Sequence, residues 1–203
     1  MASTDFITLN QDEAGRIAWN ACFTPNEKDD GMMQYSVKML FPKGGAAFKK
    51  LAAMAGTVKN EAFGADAKGL DSPFSDGDLK FAEDNEKYAA YKGMIVVSFK
   101  SKYAPTVFGP DAKQISAMTQ KELYSGCWAV VHCNAYSWTF GKMKKGVSFG
   151  FDAIQKVRDD DRIGGMGGIQ TAEQAGFTSA ASDSPENYEA QASGGTSEAD
   201  SWL

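Results

Sequence analysis

Residues 15–24 alternate: Ile17, Trp19, Ala21 and Phe23 share one side, and Arg16, Ala18, Asn20 and Cys22 the other. A period of two predicts a half-buried strand with the first set inward. Residues 33–41 alternate again, with Met33, Tyr35, Val37, Met39 and Phe41 opposite Gln34, Ser36 and Lys38. The polar, turn-rich stretch 25–31 between them predicts a hairpin. The period then changes. Phe48, Leu51, Ala52, Ala55 and Val58 fall at helical spacing, so a helix is expected over 45–62, closed by Gly64. Residues 63–92 are irregular, with Asp76-Gly77-Asp78 as a turn. Strand character resumes at 94–103, where Ile95, Val97 and Phe99 oppose Ser98, Lys100 and Lys102. Two long strands come next, over 124–140 and 146–158, joined through 141–145. Five strands, hairpins, one helix and no βαβ alternation predict a mainly β fold, a five-stranded antiparallel OB-type barrel. The helix comes earlier than the usual OB order places it.

Charge divides the chain unevenly. Its 21 Lys and Arg all precede Ile163, beside 20 of the 26 acids, so the body carries about +1. The last 41 residues hold six acids and no base, and end in Asp200-Ser201-Trp202-Leu203. Gly164 to Gly168 ends the ordered pattern, and beyond it too little apolar surface remains to offset chain entropy. A folded domain over 1–162 and a disordered acidic tail over 163–203 are expected. Such a tail can lie in a cationic groove of its own body or offer its apolar tip to a partner.

Composition removes several chemistries. His132 is the one histidine, and Cys22, Cys127 and Cys133 form no Cys-x-x-Cys, which argues against a zinc site. Cys133 follows His132 directly, so on a strand the two point to opposite faces and cannot act as a catalytic pair. Asp76/Asp78 and Asp159–Asp161 suit turns better than a metal pair. Gly164 to Gly168 lacks the Lys-Ser/Thr of a phosphate-binding loop. No cofactor or metal is expected. The sequence has no apolar run long enough for a membrane span and no signal-like start.

The stretch 125–140 carries the candidate chemistry. Its odd positions, Cys127, Ala129, Val131, Cys133 and Ala135, are small and apolar. Its even positions include Trp128, His132, Asn134, Tyr136 and Trp138. If the small face packs inward, Trp128, Tyr136 and Trp138 form an outward surface able to stack bases, with His132 and Asn134 as weaker polar contacts. Lys100 and Lys102 share one side of a strand, and Lys142, Lys144 and Lys145 crowd a turn. These five are the candidate phosphate contacts. With 18 Lys to 3 Arg, the chain favours point charges over the planar fork that reads guanine.

Several words give the body a family likeness: Tyr35-Ser36-Val37-Lys38 with Phe41-Pro42-Lys43, Asp76-Gly77-Asp78, Ser101-Lys102 followed by Pro105, Tyr124-Ser125-Gly126-Cys127, Lys145-Gly146-Val147, and Gln155-Lys156-Val157-Arg158-Asp159. Over residues 10–165 the chain resembles a family of phage-encoded single-stranded DNA-binding proteins with an OB fold. The resemblance implies a non-catalytic, sequence-tolerant binder of single-stranded DNA. It would serve phage DNA replication, recombination and repair in the cytoplasm of the infected bacterial host. It also implies that the tail, through Asp200, Trp202 and Leu203, recruits replication or recombination proteins and competes with DNA. A homo-oligomer is left open. The competing reading is a virion structural or decoration protein whose rings form an oligomer interface; a metal-dependent nuclease is a third.

Overall fold

The computed structural model describes residues 1–163 except 29–30 and 142–143. Its strands are β1 (Ile7–Thr8), β2 (Gly15–Glu27), β3 (Met33–Pro42), β4 (Phe74–Asp76), β5 (Met94–Ser101), β6 (Thr106–Phe108), β7 (Trp128–Phe140) and β8 (Lys144–Arg158). Its α-helices are α1 (Ala46–Phe63) and α2 (Gly77–Glu83). β2 pairs with β3, β3 with β5, β5 with β8, β8 with β7, and β7 with the start of β2. Those five long strands close a ring, the OB-type barrel expected from the sequence. One seam departs from the antiparallel expectation: β5 meets β8 in parallel, Phe99 opposite Phe149. Closing a five-strand Greek-key ring brings these two strands together in the same direction.

The small face of β7 packs inward as expected. Ala129, Val131, Cys133 and Ala135 are fully buried. Their size leaves room for Phe41, Phe99 and Phe149, the largest buried side chains. Ala47, Leu51, Ala55 and Val58 line one stripe of α1 and join the same core. Burying Leu51 and Val58 contributes roughly 1.5–3 kcal/mol each. The N-terminal arm covers the outer edge of β7: Thr4 N–H donates to the Ala135 carbonyl, and Leu9 N–H to that of Val131. No helix among the described residues is long and apolar enough to cross a membrane.

One register expectation fails. Ile17 pairs with Met39, but Trp19 pairs with Lys38, so Ala18 is an extra residue in β2. This β-bulge reverses the facing of the residues after it. Ile17 stays inside, whereas Trp19 turns outward and is 40% exposed.

Candidate nucleic-acid interface

The β7 residues sort by their bonds. Trp128 is pinned: its Nε1 donates to Asp160 Oδ2 at 2.7 Å, and the Arg158 guanidinium lies 4.4 Å from its ring centroid. The same knot holds Tyr124, whose hydroxyl donates to Asp159 Oδ1 at 2.8 Å, and Arg16, which reaches Asp160 and the Asp161 carbonyl. Gly126 makes the knot geometrically feasible. It has φ of 120°, and a Cβ there would collide with the Asp161 carbonyl oxygen. Asp159 and Asp160 are therefore engaged through their carboxylates, and Asp161 through its backbone, as anchors of the chain exit. The carboxyl of Asp159 is held below its ordinary range, first by Lys156 and then by Tyr124. That of Asp160 is lowered first by the Trp128 hydrogen bond.

Farther along β7, His132 Nδ1 lies 2.6 Å from Asp152 Oδ1, and Phe6 stacks on the imidazole at 5.0 Å. Asn134 and Tyr136 lie over Gly150 of β8: a Cβ there would meet Asn134 Oδ1 at 2.5 Å and Tyr136 Cε1 at 3.6 Å. Burial pushes the Tyr136 hydroxyl up. Trp138 sits by a cavity of about 580 Å³ with Met1, Glu61 and Phe63. Its Nε1 is shielded and has no hydrogen-bond partner among the described residues. Lys145 lies over Phe63 at 5.6 Å, and Lys144 is exposed beside it. Trp128 and Trp138 stand ten residues apart on one strand, about 33 Å. They cannot serve neighbouring bases. Lys142 lies outside the described residues, as do Asp200, Trp202 and Leu203.

Lys100 leads to a second face that alternation alone concealed. On the outer side of β2, β3 and β5, Trp19, Lys38 and Ser98 form one row, and Ala21, Ser36 and Lys100 the next. Lys100 continues across to Gly150, so it also borders Asn134 and Tyr136. Lys102 follows the end of β5 and is exposed. Partial burial holds the Lys100 ammonium below the usual lysine value, with Lys28 and Lys38 adding repulsion and Asp71 opposing them. Among the described residues, the eight ion pairs engage Lys43, Lys50, Lys80, Lys113, Lys156, Arg16 and His132, and none of Lys28, Lys38 or Lys100. Crowded cations without an ion-pair partner among the described residues attract an anion. Among the described residues, the Trp19 indole stands in this field with no ring contact or hydrogen bond of its own.

The other acid pair is also engaged. Lys43 Nζ bridges Asp76 at 2.6 Å and Asp78 at 2.7 Å, tying α2 to the end of β3. Among the described residues no group of three or more His, Cys, Asp or Glu side chains is placed to hold a metal.

A family model described as the single-stranded DNA-binding protein of Enterobacter phage Enc34 matches residues 7–187. The chain belongs to this Enc34 family. Solved relatives agree. The bacteriophage Enc34 single-stranded DNA-binding protein in complex with single-stranded DNA is 25% identical, with a TM-score of 0.63 over 75% of this chain and 86% of that one. The same phage protein in a second structure gives 25% identity and 0.59 over 80% and 86%. The bacteriophage T7 single-stranded DNA-binding protein, 14% identical with a TM-score of 0.52 over 78% and 94%, shares the fold. No curated protein matches the sequence.

Proposed function

We propose that this Enc34-family protein binds single-stranded DNA without reading its sequence and without catalysis, in phage DNA replication, recombination and repair. One observation carries the site: Trp19 stands free on the outer sheet face beside Lys38, with Lys28 and Lys100 converging and, among the described residues, no carboxylate paired to any of the three. Phosphates would relieve the lysine crowding while Trp19 stacks a base, a contact worth about 1–3 kcal/mol. Lys102 extends this face at one end. Asn134 and Tyr136 extend it across Gly150, with His132 as a lesser polar contact. Trp138, Lys144 and Lys145 form its far end, and Lys142, outside the described residues, is a further candidate phosphate contact by sequence. Trp128 enters only by giving up both Asp160 and Arg158, whereas Trp19 gives up nothing.

The family membership supports the DNA assignment. Residues 163–203 act as an acidic tail that competes with DNA for the lysines. Its end, Asp200, Trp202 and Leu203, recruits replication or recombination proteins in the host cytoplasm. Ile163, the last described residue, belongs to the cluster of Ala18, Leu40 and Val96, next to the row of Trp19, Lys38 and Ser98. A fluorescent poly-dT titration at two salt levels, with and without magnesium, tests the reading. Affinity should fall with salt at a logarithmic slope near −0.7 per phosphate contacted, roughly. Salt-insensitive or absent binding, or magnesium-dependent cleavage, would overturn it.

A further inference from the structure

Between β4 and β5 the chain makes an excursion through α2 and a short turn at Ala89–Tyr91. It gathers rings and ammonium groups away from the barrel rows. Tyr88 and Tyr91 meet edge to face at 5.3 Å. Lys87 lies 5.2 Å and Lys80 5.9 Å from the Tyr88 ring centroid. Lys92 lies 5.4 Å from that of Phe81. The acids here have local roles: Glu83 pairs with Lys80 at 2.8 Å, and Asp84 Oδ1 accepts from the backbone N–H of Glu86 and Lys87. Lys87 has no carboxylate partner among the described residues.

The position of this cluster gives it meaning. Tyr91 packs against the cluster of Ala18, Leu40, Val96 and Ile163, and its Leu40–Val96 pair adjoins Lys38 and Ser98 on the same outer face. Adjacent rows lie about 7 Å apart along a strand. Tyr88 is the next ring beyond Tyr91. From Trp19 to Tyr88 is thus a span of a few nucleotides, within the roughly 4–16 that OB folds occupy.

We propose that residues 77–92 form a second single-stranded DNA subsite, where Tyr88 stacks a base and Lys87 meets its phosphate after the strand leaves the Trp19 face. The inference rests on the DNA reading of that face. Contacts between exposed lysines and a ring are weak, so a base displaces them readily, and the displaced ammonium meets the phosphate. Glu86 opposes the charge, so stacking dominates this subsite.

The full chain is titrated with a short thymidine oligonucleotide of about six nucleotides and a long one of about twenty. Tyr88→Ala should weaken the long one about five- to tenfold and change the short one less than about twofold. Tyr88→Phe should keep both affinities, because the ring remains. Lys87→Gln should flatten the salt slope by about 0.7 for the long oligonucleotide only. Equal losses at both lengths, or no loss at either, would overturn the subsite. Failure of the unaltered protein to bind the short oligonucleotide would instead sink the reading on which it rests.

Discussion

Two outer faces of one barrel carry the same kinds of side chain in opposite conditions. On β7, Trp128 donates to Asp160, and His132 is held by Asp152 and Phe6. On β2, β3 and β5, the Trp19 indole has no bonded partner and its lysine neighbours no ion pair among the described residues. The first set already uses its rings to hold the molecule together. The second leaves a ring and three cations available. An aromatic residue on an outward face is a binding residue only if its bonds are not already made, and sequence periodicity says nothing about that.

The contrast can be broken from either side. The largest effect is expected at Gly126. Gly126→Ala places a methyl against the Asp161 carbonyl at a strained φ and should cost about 3 kcal/mol or more in stability. Denaturant unfolding measures it, and DNA affinity of the folded fraction should be unchanged. Next, Trp19→Ala should weaken poly-dT binding by about 1–3 kcal/mol with little change in stability. Trp128→Phe should do the reverse, lowering the melting temperature by a few degrees and leaving affinity within about twofold. The smallest effect is at Lys38: Lys38→Gln should flatten the salt slope of binding by about 0.7.

Acid should separate the faces too. The carboxyls of Asp159 and Asp160 are lowered by Lys156 and by the Trp128 hydrogen bond. Groups lowered on folding add stability above their ordinary value, about 3.9, and lose it as pH falls through the depressed one. Below about pH 4 the knot should loosen, and a variant keeping Trp128 as its sole tryptophan should shift its emission to the red. A variant keeping only Trp19 should not change over that range.

Much of the fold was legible because its long elements repeat. The helix expected over 45–62 is Ala46–Phe63, and the small and large sides of β7 face as the alternation predicts. The short strands β1, β4 and β6 were not legible. Each has two or three residues, too few to show a period, and each exists because a long strand offers it an edge. Trp19 was misassigned to the core with Ile17 because one extra residue, Ala18, turns the pattern over. No local signal distinguishes that bulge from regular alternation. Lys38 and Lys100 stood on the right sides of their strands, but their convergence with Lys28 depends on pairing that crosses the sheet.

The most direct test compares two indoles in one experiment. Single-tryptophan proteins retaining Trp19 or Trp128, with the other three changed to Phe, are titrated with a thymidine oligonucleotide while emission is followed. Stacking on the lysine face predicts strong quenching of Trp19 and almost none of Trp128. Quenching of Trp128 with Trp19 unaffected would contradict the account and return the site to β7.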